Sequence, residues 1–548
     1  MSGKEVVTLQ FGHYSNFVGA HLWNLNDLSF DYSSNQPSKI NHDVLYREGL
    51  TNDGHTTFTP RALLVDLKGS LKYLSKDGSL YSERPAPEKV DIHWDKSRIE
   101  IKKDFEQSGS KFIQEIEKGN GNKVLNKKQN LEQTVNVWSD FLYTRYHPRT
   151  VNIINEYKHE DVNKEFDVYP LGVNLWNNSE FSEEFSDKIR NYIEECDNFQ
   201  GFHVILDAVD AFSGLSTSCI EHVRDEYEKK SVMAIPLIPS YYKDYNITST
   251  DQNYKSITKD SVRVLNIALC FNDLAENASI FVPLCTGLTG WRQPGESIPF
   301  NNLHYDSRLW YHSSAILASA IDTFTLKHRL RSYNFSLNDL CADLSSFGRR
   351  AVASSLCLPF SFNKDATLLE CLDNWDGPLS KSITPNCKIG SNRMMQYWFL
   401  RGIAENRLKH SQNQQNLPAF KCNTVQEMLT YYMACTTYAS ANNVTVVDKA
   451  LTVKTPYPDI FNAHVGIDGN IIADMRPEDS VVQSVPVLAG LHSGSEIGNM
   501  LESLHTEVSK IRFPRFHRFR ESGLETDAYK ECLQKLFDLR ECYEDNYN

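Results

Sequence analysis

The sequence predicts an α/β protein with a doubly wound parallel sheet, a buried central helix, an α+β segment and helices at the carboxyl end. In the first half, short apolar runs bounded by turn residues alternate with helical patterns, which is typical of parallel strands joined by crossover helices. Small apolar residues then fill 313–321, and a helix that is apolar around much of its circumference is expected to be buried. From Gly494 onward, apolar residues recur at helical spacing.

The opening residues predict a strand over 6–11, a turn with Gly12 and Gly19, and the start of a helix. This order is typical of a nucleotide-binding βα unit, although it also fits a plain strand–helix connection. A second strand is predicted over 61–66 and ends at Asp66. An acidic residue in that position either faces a site or caps a turn.

Further elements follow in the order expected for parallel strands. A helix is predicted over 180–196, a strand over 201–206, a helix to about residue 227 and a strand over 231–237. These lengths predict a right-handed crossover. Residues of about 73–130 are polar, lysine-rich and glycine-punctuated, which favours a long surface insertion and leaves a binding loop as the alternative.

Three domains are predicted from this pattern. Residues 1–330 form a nucleotide-type domain with the polar insertion at about 73–130 and the central helix at about 306–330. Residues 331–486 form an intermediate α+β domain, and 487–548 form a helical domain.

Composition excludes several classes of protein. The 548 residues include 57 Lys+Arg and 70 Asp+Glu, a net charge of −13, and nucleic-acid binding requires a basic surface instead. We find no run of about 18 apolar residues, so we predict no transmembrane segment, and the amino terminus has no signal or transit pattern. The 12 cysteines include no CxxC pair, which favours a reduced cytosolic protein over a zinc protein.

The motifs resemble tubulin over nearly the whole chain. Residues 9–23 resemble the first phosphate loop and helix of tubulin, 59–67 its second loop, and 135–138 its asparagine loop. The lead into the glycine-rich signature is similar at 196–202, and the match continues in order to FLRG at 399–402. The resemblance implies a tubulin-like fold.

The departures from tubulin resemble a narrower family. HYSNFVG at 13–19, HYD at 304–306, SSAILA at 313–318 and a degenerate glycine loop are similar to Misato. This tubulin/FtsZ-like family is linked to mitochondrial distribution and morphology and, in some members, to spindle assembly and chromosome segregation. The resemblance implies those roles, which neither composition nor spacing indicates.

The glycine loop that would cradle phosphates is degraded. The GGGTGSG signature of tubulin corresponds to DAFSGLS at 210–216, where only Gly214 remains. Side chains therefore occupy space where phosphate oxygens must come within about 3 Å of backbone nitrogen. Asp207 and Asp210 add negative charge, and two unit charges about 4 Å apart repel by roughly 4 kcal/mol at an effective dielectric of about 20. The alternative is that Asp210 points away or binds a metal that holds phosphate.

Other positions of the tubulin site are also altered. His13 and Phe17 stand at two of its glutamines, and Lys68 replaces a carboxylate that helps to hold Mg²⁺ through water. A lysine has only donors, so it either supplies the charge of the missing cation or is a surface residue. Arg263 falls on the ribose-facing glutamate, and Ser346 falls on the glutamate that the next subunit donates for hydrolysis.

Two positions near the base of the nucleotide are less closely matched. Thr286 and Trp310 fall near the asparagines that read the base. Trp310 either stacks on a purine or belongs to the core. A serine such as Ser346 cannot activate water without an adjacent base.

These changes predict a pseudo-GTPase with a vestigial nucleotide pocket, no catalytic residue and no metal site. We expect no cofactor and leave residual GTP binding open. The predicted pocket residues are Gly12, His13, Asn16, Asp66, Lys68, Asn136, Gly214 and Asn266.

A basic segment near the carboxyl end is a predicted interaction site. It interleaves arginines with phenylalanines, and the arginines are Arg512, Arg515, Arg518 and Arg520. In one interpretation the phenylalanines pack under the last helices while the arginines pair with Glu521 and Glu525. In the other, the segment contacts a protein partner or anionic lipid.

The resemblance implies a non-hydrolysing protein that organises mitochondrial distribution, morphology and inheritance through protein contacts. The alternatives are a GTP-binding switch and a spindle or microtubule assembly factor acting in chromosome segregation. The expected location is the cytoplasm and the outer membrane face of the mitochondrion, with peripheral membrane association left open. The expected partners are mitochondrial or cytoskeletal proteins and a cytosolic chaperonin, because large chains with non-local topology are prone to misfold.

Overall fold

The computed structural model describes residues 4–30, 37–50, 54–72, 74, 111–118, 125–126, 128–178, 180–242, 250–292, 295–390, 392–409 and 418–544. Most of the predicted insertion at about 73–130 lies outside these residues. Its described part includes a short helix at Lys111–Glu117, where Phe112 is fully buried.

Fifteen strands are found in the described residues. They are β1 Val6–Phe11, β2 Tyr46–Leu50, β3 Thr56–Pro60, β4 Ala62–Lys68, β5 Val151–Lys158, β6 Gly201–Asp207, β7 Ser231–Leu237, β8 Ile280–Phe281, β9 Ala353–Cys357, β10 Lys381–Ser382, β11 Asn392–Arg401, β12 Tyr438–Val447, β13 Leu451–Thr452, β14 Ser484–Val485 and β15 Val487–Ser493.

The described α-helices are α1 His13–Asp27, α2 Lys111–Glu117, α3 Tyr169–Asn178, α4 Glu180–Glu194, α5 Ala211–Glu226, α6 Thr250–Asn277, α7 Trp310–Phe324, α8 Leu326–Arg329, α9 Leu337–Leu344, α10 Leu368–Asp373, α11 Val425–Thr436, α12 Glu496–Ser509, α13 His517–Glu521 and α14 Thr526–Glu541.

The central sheet has the strand order β5-β4-β1-β6-β7-β8. All of its strand pairs are parallel. The strands β1, β6 and β7 are buried along their whole length, as expected for a parallel sheet covered on both faces. This arrangement confirms the predicted doubly wound sheet.

The helices α1 and α7 pack together on one face of the central sheet. Every residue of α7 from Tyr311 to Phe324 is buried, and the Tyr14 hydroxyl of α1 donates to Ser313 Oγ across the contact at 3.0 Å. The predicted central helix at about 306–330 is therefore present as two consecutive helices, α7 and α8. The break follows Phe324, where the side chain of Thr325 bonds back to the Ile321 carbonyl.

A second sheet has the order β10-β9-β15-β11-β12. Its pairs are antiparallel except for β11 with β12, which are parallel. Strand β15, which the predicted division assigns to 487–548, pairs with β9 and β11 and so belongs to this sheet. The last helices, α12 and α14, pack against each other and against α6.

A buried ion network joins the two sheet regions. Asp322 of α7 accepts hydrogen bonds from Arg329 of α8, at 2.9 Å, and from Arg401 of β11. Asn26 of α1 bonds to both Asp322, at 3.0 Å, and Arg329, at 2.6 Å. Each of the four side chains belongs to a residue at most 3% exposed. The network therefore ties α1 and the central helix to the second sheet.

Candidate functional site

The order of the central sheet reverses at β1, with β4 and β5 on one side and β6 to β8 on the other. Ligands of open α/β sheets bind at the carboxyl edge of the strands where the order reverses. That edge carries Gly12 and His13 directly after β1, Asp66 within β4, and Asp207 at the end of β6.

The carboxylate of Asp207 lies at the amino end of α1. Its Oδ2 accepts from the Tyr14 amide at 2.9 Å, and its Oδ1 accepts from the Ser15 amide and the Ser15 hydroxyl, each at 2.7 Å. Amides in the first turn of a helix have no partner within the helix, and the helix dipole favours an anion there. An internal carboxylate therefore takes the position where the tubulin resemblance places a phosphate.

Gly12 makes this contact sterically feasible. Its φ of 110° lies in a region that other residues rarely adopt. A Cβ at this position would overlap the carboxylate of Asp207. The glycine that the sequence assigned to phosphate binding thus accommodates the carboxylate instead.

Asp210 caps the amino end of α5. Its Oδ1 accepts from the Phe212 amide at 2.9 Å. Burial raises the pKa of Asp210 well above its ordinary value, and the charge of Asp207 raises it further. Burial also raises the pKa of Asp207, but the three donors at that carboxylate favour its ionised form. The hydrogen-bond donors therefore favour ionisation of Asp207 over Asp210, and the charge of Asp207 disfavours ionisation of Asp210.

Asp66 is fully buried and lies at the centre of a dense set of donors. Its Oδ2 bonds to His13 Nδ1 at 3.0 Å, Trp138 Nε1 at 2.9 Å and Asn16 Nδ2 at 3.2 Å, and its Oδ1 accepts from the Leu67 amide at 2.8 Å. Burial by itself would raise the pKa of this carboxyl, but His13 and the other donors hold it below its ordinary value. Asp66 is therefore a fixed, ionised carboxylate.

His159 joins this group from the chain after β5. Its ring centroid lies 4.1 Å from that of His13, and its amide donates to the Lys68 carbonyl at 2.9 Å. Sequence reasoning missed His159, because only the pairing of β4 with β5 brings it beside Asp66. A single histidine after a strand has no distinguishing signal in the sequence.

An aromatic cluster occupies the space beside His13. Phe17 is 3% exposed, and its ring centroid lies 5.7 Å from that of Phe141 and 6.0 Å from that of Trp310. The Trp310 indole donates to the Tyr241 carbonyl at 2.9 Å, so its polar edge is already engaged. These contacts favour the interpretation of Trp310 as a core residue.

Gly214 and Asn266 each have a packing role. A Cβ at Gly214 would overlap the Tyr169 carbonyl oxygen, so this glycine permits close packing of α5 on α3. The Asn266 side chain donates to the carbonyls of Asp167, at 2.7 Å, and Val209, at 2.8 Å, and accepts from the Tyr169 amide at 2.9 Å. Asn266 therefore links three segments of backbone.

Lys68 and Asn136 lie at the margin of the site. Lys68 is exposed at the end of β4. The backbone amide of Asn136 donates to Asp140 at 2.8 Å, and its side chain donates to the Thr134 carbonyl at 3.3 Å. The structure therefore brings together Gly12, His13, Asn16 and Asp66 and leaves the other four predicted pocket residues outside that group.

The remaining positions of the tubulin comparison also have other contacts. The guanidinium of Arg263 lies over the Tyr242 ring, 3.6 Å from its centroid, and Thr286 donates to Ser240 at 3.0 Å. Ser346 Oγ donates to the Asp343 carbonyl at 3.2 Å. The next residue, Phe347, has a φ of 60° and is 79% exposed.

In the arginine segment near the carboxyl end, one arginine is paired with acidic residues and the other three are exposed. Arg518 pairs with Glu165 at 3.1 Å and with Asp167 at 2.6 Å, rather than with the predicted Glu521 and Glu525. The phenylalanines at 513 and 519 are buried, which agrees with the packing interpretation. The other predicted arginines, Arg512, Arg515 and Arg520, are exposed.

Comparisons with known proteins agree with this architecture. The family described as "Misato Segment II tubulin-like domain" matches residues 4–118, and the family described as "Tubulin domain" matches residues 128–330. The chain is 34% identical to "Protein misato" of Drosophila melanogaster over 576 residues, with 99% of both chains covered.

The chain belongs to the Misato family. It is also 30% identical to "Protein misato homolog 1" of Homo sapiens over 577 residues, covering 99% of this chain and 98% of that one. "Protein misato homolog 1" of Danio rerio is 30% identical over 599 residues, covering 100% and 98%. The predicted family and tubulin-like fold are both confirmed.

This Misato-family chain therefore combines a tubulin-like fold with a carboxyl edge of the central sheet that its own carboxylates occupy. A carboxylate engages the first amides of α1, and a buried carboxylate is held between two histidine-bearing segments. Within the described ranges, no helix combines the length and the apolar character that a membrane crossing requires.

Proposed function

We propose that this Misato-family protein is a tubulin-like scaffold that does not hydrolyse GTP and that organises mitochondrial distribution, morphology and inheritance through protein contacts. One observation carries the first half of the proposal. The Asp207 carboxylate already accepts from the amides of Tyr14 and Ser15, the donors that a phosphate at this helix would need.

A phosphate would have to displace a buried anion to reach these amides. Asp207 is 2% exposed, so water screens its charge poorly, and like charges repel more strongly in a poorly hydrated site. The phosphate would also lack the glycine loop of tubulin, because Gly214 lies within α5 against α3. These features support exclusion of a tubulin-type triphosphate.

The groups that activate hydrolysis in tubulin are also replaced. Lys68 stands in place of a carboxylate, and its exposed ammonium cannot bind a cation. Ser346 is bonded to the Asp343 carbonyl, and no carboxylate precedes or follows it directly in the sequence. Both substitutions favour a protein that works by contact and not by turnover.

Family membership supports the mitochondrial role, since the Misato resemblance implies it. The exposed Arg512, Arg515 and Arg520 provide a basic surface on a chain of net charge −13. We propose that this surface binds an acidic partner protein at the outer mitochondrial membrane, facing the cytoplasm. A cytosolic chaperonin is the proposed folding partner, and no cofactor is required for the proposed role.

The nucleotide content of the purified protein tests the first half of the proposal. After denaturation, the supernatant should contain far less than one equivalent of guanine nucleotide, and GTP turnover should stay at background. Asp66→Ala is the control, because a tubulin-type site would depend on this carboxylate. Stoichiometric GTP, or turnover that Asp66→Ala abolishes, would establish the GTP-binding switch instead.

An anion test addresses Asp207 directly. In Asp207→Ala, the two α1 amides should accept inorganic phosphate, because a helix amino end with free amides binds anions. Phosphate should raise the melting temperature of the variant more than that of the wild type, at matched ionic strength. Equal shifts would show that Asp207 does not exclude phosphate.

A cellular experiment tests the second half of the proposal. The wild-type chain should restore the mitochondrial network after depletion of the endogenous protein and should fractionate with mitochondria. A variant with Arg512, Arg515 and Arg520 changed to glutamate should fail, while the control Arg190→Glu, an exposed arginine on α4, should succeed. Co-sedimentation with microtubules and normal mitochondria would favour the spindle role.

A further inference from the structure

A cluster of two histidines and one aspartate lies at the carboxyl edge of the central sheet. One ligating atom from each of His13, Asp66 and His159 lies within 4.8 Å of the others. We propose that these three residues bind a divalent transition-metal ion, Zn²⁺ in the first instance, without a nucleotide. This proposal goes beyond the scaffold role and does not depend on it.

The topology brings the three residues together from three neighbouring strands. His13 follows β1, Asp66 lies near the end of β4, and His159 follows β5. Since β5, β4 and β1 are parallel neighbours, their carboxyl ends meet at one edge. The amide of His159 is also held by the Lys68 carbonyl at 2.9 Å, which fixes the start of the loop relative to β4.

The separation of the first two ligands suits a metal ion. His13 Nδ1 and Asp66 Oδ2 are 3.0 Å apart. Two ligands at about 2.1 Å from an ion are about 3.0 Å apart at an angle near 90°, and about 3.4 Å apart at a tetrahedral angle. The ion would therefore require a widening of only a few tenths of an ångström. It would replace the hydrogen bond between the two atoms, with the ring binding as a neutral imidazole. The Nδ1 proton of a neutral His13 would then be carried on Nε2, and only an imidazolium would release a proton to solvent.

Asp66 is already positioned as a ligand. The Trp138 indole donates to Oδ2 at 2.9 Å, the Asn16 amide group donates at 3.2 Å, and the Leu67 amide donates to Oδ1 at 2.8 Å. Hydrogen bonds of this kind orient a metal-binding carboxylate and contribute to affinity. The carboxylate is therefore already ordered in the folded protein, so metal binding loses little further conformational entropy there.

Solvent can reach the cluster through His159. The side chain of His159 is 23% exposed, while that of His13 is 10% exposed and that of Asp66 is fully buried. The Glu160 carboxylate lies 3.8 Å from His159 Nε2, which adds negative charge beside the ring. An ion can therefore enter from the His159 side and bind against the buried carboxylate.

The donor set selects the class of metal. Imidazole nitrogens suit Zn²⁺, Co²⁺, Ni²⁺ and Cu²⁺, whereas Mg²⁺ prefers oxygen ligands and retains its water. Two imidazoles and one carboxylate leave at least one coordination position for water. The proposed site therefore differs in chemistry from a Mg²⁺ ion held by nucleotide phosphates.

Metal binding to the full-length protein tests the proposal. Nucleotide-free, metal-stripped protein should bind one equivalent of Zn²⁺ in competition with a chromophoric chelator. The Co²⁺ complex should show visible absorption bands. His159→Ala should lower the affinity for Zn²⁺ at least tenfold and should remove the Co²⁺ bands, and the control His517→Ala, an exposed histidine on α13, should change neither.

The fold of the variant is verified separately. Zn²⁺ should raise the melting temperature of the wild type and of His517→Ala but not of His159→Ala, and the circular dichroism of all three should agree. If His159→Ala fails to fold, His159→Gln replaces it and should also weaken binding. Equal Zn²⁺ affinity in the wild type and the His159 variant, or no bound equivalent in the wild type, would overturn the proposal. Neither outcome alters the nucleotide content that tests the scaffold role.

Discussion

Removal of the Asp322 carboxylate should destabilise the whole central region. Asp322 lies between two guanidinium groups, those of Arg329 and Arg401, and all three residues are at most 3% exposed. Asp322→Ala leaves both cations buried without their shared counter-ion. The Asn26 side chain, which donates to the same carboxylate at 3.0 Å, also loses its acceptor.

The magnitude follows from these contacts. Three donors, from Arg329, Arg401 and Asn26, face the carboxylate, and a hydrogen bond to a charged group is worth about 1.5–3 kcal/mol. Both guanidiniums keep other acceptors, since Arg329 also bonds to Thr325 and Arg401 to Ala450. The expected loss is therefore about 3–5 kcal/mol, the range found when one partner of a buried pair is removed.

Urea unfolding, followed by tryptophan fluorescence and circular dichroism, measures this loss. With a denaturant slope of about 3 kcal/mol per molar, the midpoint should fall by about 1–1.7 M. The matched control is Asp187→Ala, which breaks an exposed pair with Arg190 and should cost less than about 1 kcal/mol. Adding Arg401→Met to Asp322→Ala should recover part of the loss, because it removes one uncompensated charge. Equal midpoints for Asp322→Ala and Asp187→Ala would refute the reasoning.

Three further changes have defined outcomes. Asp210→Asn keeps the cap on α5 but cannot ionise. Because the folded pKa of Asp210 is raised, the wild type loses free energy of unfolding as pH rises and the variant does not. Thermal melts should therefore show the variant gaining stability relative to the wild type between pH 5 and pH 8, and an equal pH dependence of the two proteins would contradict this. Gly214→Ala should destabilise by about 1–3 kcal/mol in urea unfolding, because its Cβ would overlap the Tyr169 carbonyl; a neutral effect would contradict the packing role. Trp138→Phe should lower the free energy of unfolding by about 1–3 kcal/mol, because it removes a donor to Asp66. Since the folded pKa of Asp66 is lowered, this loss should shrink as pH falls toward 3. A loss that does not depend on pH would contradict the role of Trp138.

The fold could be predicted largely from local pattern. The apolar runs at Val6–Phe11 and Ser231–Leu237 became strands with those bounds, because a strand buried on both faces is apolar throughout. The small-residue run in α7 predicted a buried helix for a similar reason. The order of the motifs was sufficient to identify the family, because motifs that match from one end of the chain to the other require the same order of structural elements.

Part of the site was also visible in the sequence. Gly12, His13, Asn16 and Asp66 follow or end predicted strands, so parallel topology places them at one edge. Gly214 could not be placed in this way, because its surroundings are set by the packing of α5 on α3. Asn266 likewise contacts segments that are distant in the chain.

The sequence by itself determined the family, the parallel sheet and the loss of the glycine loop, since these depend on residue types and their order. Only the tertiary structure decided that the Asp207 carboxylate binds the amides of α1 and that His159 lies beside Asp66. Both contacts join residues far apart in the chain, and their direction depends on strand pairing and side-chain packing. The charged residues can be identified from the sequence, but the group that neutralises or binds each of them is determined by the tertiary structure.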